Sequence, residues 1–220
     1  LDWSPTGQLL VVCGPDAVLM RREPDGSLVT HADLGGVGQF SNEIVVDPRG
    51  NIFVNGGMDI SQPGVVVLVT PDGVVRQVAD GIAFGNGMAV TADGSTLIVA
   101  ESWGNRLSAF DIAEDGSLSG RRVWAELGQG APDGICLDAE GAVWYADVPN
   151  RHCRRVAEGG TVLETVEVDR GCFACMLGGP DRRTLFVLAD EWHGFDQLDL
   201  DARSGQLLTV RVDVPGAGRP

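Results

Sequence analysis

One hairpin recurs along this chain, and its recurrence restricts the fold more than any other feature. Gly85-Asn86-Gly87-Met88-Ala89-Val90-Thr91 leads into the turn Ala92-Asp93-Gly94, and Ser95-Thr96-Leu97-Ile98-Val99-Ala100-Glu101-Ser102 returns from it. Asp and Gly accept the positive φ of a tight turn, and the β-branched residues on either side suit a pleated surface. The turn appears again with its first residue at Pro5, Pro48, Ala139 and, more weakly, Pro180, so the five copies are spaced 43, 44, 47 and 41 residues apart. A second hairpin follows in the first four repeats, turning at Pro24-Asp25-Gly26, Pro71-Asp72-Gly73, Asp115-Gly116 and Glu158-Gly159-Gly160. Two hairpins per repeat of about 40–50 residues make one four-stranded blade, and such a period predicts an all-β propeller. Five blade repeats are visible, and they lack the Gly-His and Trp-Asp marks of the Trp-Asp-repeat class. With no helical period and no low-complexity linker, residues 1–220 read as a single domain.

Counting back six positions from each turn residue gives Asn42, Asn86, Asp133 and Ala174. Three successive blades therefore carry an amide or carboxylate oxygen at one structural position, where the chain enters the innermost strand. Innermost strands line the channel of a propeller, so these oxygens are expected to converge at its mouth. Such a set suits a divalent cation: Ca²⁺ first, with Zn²⁺, Mn²⁺ or Mg²⁺ as alternatives. The competing explanation is turn chemistry, because Asn-Gly and Asp-Gly are common turn pairs.

Charge narrows the partners. The chain has 31 acidic and 16 basic residues, a formal charge of −15. That argues against nucleic acid and anionic membranes, both of which draw on Lys and Arg. No apolar run approaches the ~20 residues of a spanning helix. Five cysteines are an odd number and imply no disulfide framework; the Cys172-Phe173-Ala174-Cys175 pair has no second CxxC for zinc, so buried thiols are expected. The chain begins at Leu1 with neither Met nor a signal peptide, and the expectation is a cytoplasmic protein, monomeric or weakly homo-oligomeric.

Ser41-Asn42-Glu43-Ile44-Val45-Val46-Asp47-Pro48-Arg49-Gly50, Gly85-Asn86-Gly87-Met88-Ala89, Ala131-Pro132-Asp133-Gly134-Ile135-Cys136-Leu137-Asp138-Ala139-Glu140-Gly141 and Cys172 to Gly179 together resemble the senescence marker protein (regucalcin)/gluconolactonase/luciferin-regenerating enzyme family. The resemblance implies a six-bladed β-propeller that binds one divalent cation in its channel and hydrolyses sugar lactones or related cyclic esters. It makes Asn86 and Asp133 metal ligands, Asp133 also the general base, and Asn42 a contact to water or substrate. Two departures accompany it. The family's first blade carries a Glu ligand that is not seen here, so that blade is expected to be missing. Phe40 stands where some members place a basic residue, and the segment Met58 to Pro63 is short.

Other residues invite a role. Glu43, beside Asn42, and Glu101, at a strand end, are candidate substrate contacts, and Asp147 matches Glu101 in register. Plain surface or supporting roles compete with each. His31, His152 and His193 are scattered and are expected at surfaces or turns, and Ser102 lacks a nucleophile elbow. Trp3, Trp124 and Trp144 are expected to pack blades, whereas Trp103 and Trp192 follow strand ends and could line a pocket for a small-molecule lactone. The functional expectation is a metal-dependent lactonase. A non-catalytic propeller that binds a metal or small ligand, and a hydrolase of another cyclic ester, are the alternatives.

Overall fold

The computed structural model describes residues 1–37, 40–57, 62–197 and 203–218. Among them the protein is built of nineteen strands and two three-residue 3₁₀ turns, Ser102–Gly104 and Phe195–Gln197. The first blade comprises β1 (Asp2–Trp3), β2 (Leu9–Cys13), β3 (Val18–Arg22) and β4 (Leu28–Asp33). The second comprises β5 (Phe40–Val46), β6 (Ile52–Gly57), β7 (Gly64–Val69) and β8 (Val75–Ile82). The third holds β9 (Gly85–Val90), β10 (Thr96–Glu101), β11 (Arg106–Ile112) and β12 (Leu118–Glu126). The fourth holds β13 (Pro132–Leu137), β14 (Val143–Asp147), β15 (His152–Val156) and β16 (Val162–Glu167). The last is a three-stranded sheet of β17 (Gly171–Gly178), β18 (Thr184–Asp190) and β19 (Gln206–Arg211). Every sheet is antiparallel and ordered as the chain runs, which is the five-bladed arrangement that the repeat predicts.

Turn chemistry builds each inner hairpin. Gly7, Gly50, Gly94 and Gly141 all take φ between 70° and 89°, at equivalent places. In two blades a buried Asp opens the turn. Asp47 accepts from the Arg49 and Asn51 backbone N–H groups, and Asp138 accepts from those of Glu140 and Ala142. The weaker fifth copy lacks the glycine, and Arg182 takes the left-handed conformation itself at φ 56°.

Four cores form, one between each pair of consecutive blades. Alternation along a strand feeds two of them. Ile52 and Val54 point toward the first blade while Phe53 points toward the third. Leu97 and Val99 face the second blade, whereas Ile98 and Ala100 face the fourth. Both faces of a middle blade are therefore dry, which is why its strands read as unbroken apolar runs rather than as alternating ones.

Several side chains depart from expectation. Trp124 and Trp144 are buried as predicted, but Trp3 is 41% exposed on the short edge strand β1. Four cysteines pack as free, buried thiols between the fourth and fifth blades, whereas Cys13 is half-exposed beside Asp16. His152 lies neither on the surface nor in a turn. It is buried in β15, with Nε2 3.4 Å from the Asp147 carboxylate and its ring edge-on to Tyr145.

Candidate active site

The innermost strands β1, β5, β9, β13 and β17 each pack against the next in chain order. Four of them share a defect at the same place. Between Ser41 and Ile44 in β5, three steps along the inner strand oppose two on β6. The same surplus occurs between Gly85 and Met88 in β9 and between Pro132 and Ile135 in β13. In β17 it occurs between Cys172 and Ala174. The inserted residues are Asn42-Glu43, Asn86-Gly87, Asp133-Gly134 and Phe173. A β-bulge breaks the two-residue alternation and re-aims a side chain, and bulges are common beside active sites. The oxygens that the sequence aligns in register thus sit on the bulges of three adjacent inner strands.

The glycines that follow have a reason other than turn chemistry. Neither Gly87 nor Gly134 has a positive φ among the described residues. A Cβ on Gly87 would lie 2.5 Å from Ile135 N, 2.6 Å from Asp133 O and 2.8 Å from Gly134 Cα. One on Gly134 would lie 2.8 Å from Ala174 Cα. Neighbouring bulges come so close around the channel that only glycine fits between them.

Hydrogen bonds then lock the bulges to one another. Asn42 Nδ2 donates to Asn86 Oδ1 at 3.0 Å and to the Gly85 carbonyl at 3.3 Å. The buried Asn55 accepts from Glu43 N–H at 3.1 Å through Oδ1, and its Nδ2 donates to the Asn86 carbonyl. Asn86 Nδ2 donates to Ser102 Oγ at 3.3 Å, and that hydroxyl donates to the Pro132 carbonyl at 2.6 Å, one residue before Asp133. Cys175 Sγ reaches the Gly134 carbonyl at 3.5 Å and ties in the fifth blade. Sequence reasoning misses Asn55. Its signal there is slight, a lone amide in the run Ile52-Phe53-Val54-Asn55. Ser102 is no nucleophile either: its hydroxyl is spent on holding Asn86 and Pro132.

Asp133 is the exception in this network. Among the described residues no donor or cation reaches the carboxyl group of this half-buried residue. Burial, reinforced by the negative charge of Glu43, pushes the carboxyl up to about 7. Burial pushes Glu43 up as well. An unpartnered carboxylate, a second one nearby and the amide oxygen of Asn86 form a donor set that fits a hard divalent cation. Among the described residues no three His, Cys, Asp or Glu side chains are grouped to hold a metal, so such an ion would draw on amide oxygen as well as carboxylate.

Glu101 is held elsewhere. Its fully buried carboxylate accepts from Arg106, Arg121, Ser108 and the Ala83 backbone N–H. Burial alone would raise it, but these bonds outweigh that effect and hold the carboxyl at about 2. Asp147 does the equivalent work one blade on, accepting from Ala131 N–H at 3.2 Å and from Asn150. Both carboxylates fasten the start of an inner strand to the end of its neighbour. Glu101→Gln is therefore expected to cost about 3–5 kcal/mol at neutral pH, because it leaves two guanidinium groups facing a neutral amide. Because the folded carboxyl lies below its ordinary value, this stability is present above pH ~4.5 and is lost as pH falls toward ~2. Urea midpoints of both proteins at pH 7 and pH 3 would check it; a constant difference between them would refute it. Phe40 lies in β5 without a described side-chain environment, and residues 58–61 lie outside the described residues.

The fold defines a class: a β-propeller whose inner strands carry amide and carboxylate side chains on adjacent bulges. Residues 3–190 match the SMP-30/Gluconolactonase/LRE-like region, and the chain belongs to that family. It is 27% identical to the pentonolactonase XacC of Haloferax volcanii over 89% of its own length and 76% of the relative's. It is 26% identical to a 6-deoxy-6-sulfogluconolactonase of Pseudomonas putida over 81% of its own length and 64% of the relative's, so it spans less than two thirds of that protein. A luciferin-regenerating enzyme structure shares the fold at a TM-score of 0.79, with 19% identity, 96% of this chain and 77% of that one covered.

Proposed function

We propose that the protein is a metal-dependent lactonase of the gluconolactonase type, acting on a small-molecule lactone at the bulged ends of β5, β9 and β13. The observation that carries this reading is the Asp133 carboxylate without a protein partner among the described residues, on the bulge adjacent to that of Asn86 and near Glu43. Lactonase names among the family relatives support the reaction class.

Asn86 and Asp133 would hold the cation, Ca²⁺ first, with Zn²⁺, Mn²⁺ or Mg²⁺ as alternatives. A divalent ion there supplies Lewis-acid polarisation of the lactone carbonyl and lowers the pKa of water. The rest falls to the protein. Asn42 is exposed, and its Oδ1 has no protein partner among the described residues, so it can accept a hydrogen bond from the attacking water or a substrate hydroxyl. Asp133 takes the proton released as water adds to the carbonyl carbon and passes it to the ring oxygen as the ring C–O bond breaks, leaving the open hydroxy acid. Ser102 and Asn55 hold Asn86 in the orientation this requires. Glu43 adds negative charge that favours cation binding and serves as a substrate contact. Glu101 acts at a distance, by fixing Ala83, two residues before β9.

The reading also includes the six-blade ring that the family resemblance implies, with a further Glu ligand from a blade outside these 220 residues. A cytoplasmic setting and a monomer or weak homo-oligomer complete it. Among the described residues no helix is long and apolar enough to cross a membrane.

Proton release from a panel of sugar and aliphatic lactones, with chelator and then with each cation restored, tests the proposal. Metal-restored turnover is expected. Cation binding without turnover, both in this chain and in one extended by an N-terminal blade, would replace the enzyme with a ligand-binding propeller.

A further inference from the structure

Beside Asn86 the third blade presents an aromatic shelf. The rings of Phe84 and Trp103 are stacked, with centroids 4.7 Å apart and planes inclined by 12°. Trp103 is 49% exposed. Phe84 adopts φ 55°, a left-handed conformation that a bulky residue takes only where its surroundings impose it. The imposing contacts are Ser102 N–H to the Phe84 carbonyl at 3.1 Å and Trp103 N–H to the Ala83 carbonyl at 3.2 Å. These bonds bind the shelf to the site, because Ser102 is the residue that receives Asn86 Nδ2.

Polar side chains on the same segment are already engaged. Glu101 and Arg106 hold each other, Ser102 donates to Pro132, and Asn105 Nδ2 donates to the Gly130 carbonyl at 2.7 Å. What the segment offers to solvent is an indole face rather than hydroxyl or amide groups. Ligand sites of this kind combine a few convergent polar groups with an apolar wall, and an exposed Trp locked against a Phe supplies such a wall at little entropic cost.

We infer that Trp103, backed by Phe84, is a specificity-determining contact that receives an apolar substituent carried by the lactone ring. The inference rests on the lactonase reading for the position of the ring and names a substrate class within it. Alkyl-substituted lactones are preferred over the bare ring, since each methylene brought against the indole leaves water. Trp103 does not touch the reacting atoms in this scheme, so the effect falls on KM.

Kinetics on γ-butyrolactone and on γ-nonanoic lactone, which adds a pentyl chain, provide the test. Trp103→Ala is expected to raise KM for the pentyl substrate by about tenfold or more while kcat and the parent ring stay within about twofold. Trp103→Phe should restore most of the difference. Binding of 5-pentylpyrrolidin-2-one, a lactam that does not turn over, is measured in parallel by titration calorimetry. It should weaken by a similar factor in Trp103→Ala and persist in Asp133→Asn. Equal losses on both lactones, or lactam binding that is absent or indifferent to Trp103, would overturn the inference. Trp103-dependent lactam binding without hydrolysis of any lactone keeps the shelf and removes the lactonase reading. Hydrolysis of both lactones with no response to Trp103→Ala does the reverse.

Discussion

Replacing Asp133 by Asn is expected to reduce lactone hydrolysis by about 10²–10⁴-fold, the range typical of a lost general base, while making the metal-free protein more stable at pH 8. The two effects share one cause. Asp133 is half-buried and desolvated, no donor reaches it among the described residues, and Glu43 adds like charge, so its carboxyl is pushed from 3.8 up to about 7. A carboxyl raised in the folded state holds its proton more tightly there than in the unfolded chain. Stability is therefore greatest below pH ~4, declines as pH rises, and reaches its lowest level above pH ~7. Each pH unit between the two values is worth about 1.4 kcal/mol, so the ionised group costs the metal-free protein up to about 4 kcal/mol at pH 8. Asn does not ionise and escapes that cost. Denaturation with chelator present should show Asp133→Asn more stable than wild type at pH 8 and nearly equal to it at pH 4. Added Ca²⁺ should reverse the order at pH 8, because a ligand that binds only the folded wild type stabilises it by mass action. An unchanged order on adding each of the four cations would remove Asp133 as a ligand, and an active Asp133→Asn would remove it as the base.

Gly87→Ala carries the other large effect, and it is structural. The added methyl would sit 2.5–2.8 Å from Ile135 N, Asp133 O and Gly134 Cα, all backbone atoms that cannot swing aside. Strands β9 and β13 must separate, at a cost of about 3 kcal/mol or more. The bulges bearing Asn86 and Asp133 move apart with them, so activity should fall together with stability. Gly141→Ala is the informative control. Gly141 has φ 80° and nothing lies within 4 Å of where its Cβ would stand, so its substitution costs only the left-handed backbone, about 1–2 kcal/mol. Urea unfolding of both variants should rank Gly87→Ala as clearly the worse. The opposite ranking would show that turn conformation, not close approach around the channel, governs these glycines.

The residues aligned in register carry two tasks that a count of positions leaves merged. Asn42, Asn86 and Asp133 are presented on bulges, whereas Glu101 and Asp147, equally regular in sequence, lie behind them and tie strands together. Both groups are polar residues at strand ends. They differ in strand: Asn42, Asn86 and Asp133 stand on the bulged inner strands β5, β9 and β13, whereas Glu101 and Asp147 end β10 and β14.

Five repeats, two hairpins in each of the first four and an oxygen-bearing side chain at one register in three blades follow from the amino-acid sequence alone. Those features depend on local turn chemistry and on spacing, which a linear chain displays directly. The unbroken apolar runs of the middle blades are also legible, although only packing shows that successive residues serve different cores. What the tertiary structure decided is non-local. Asn55, thirty-one residues from Asn86, joins two bulges; Ser102 bridges to Pro132; and His152 disappears into β15 against Tyr145 and Asp147. Such partners are selected by the stacking of one blade on the next, a distance that sequence spacing does not encode. The raised Asp133 carboxyl has the same origin, for its burial and its neighbour Glu43 are supplied by strands from different blades.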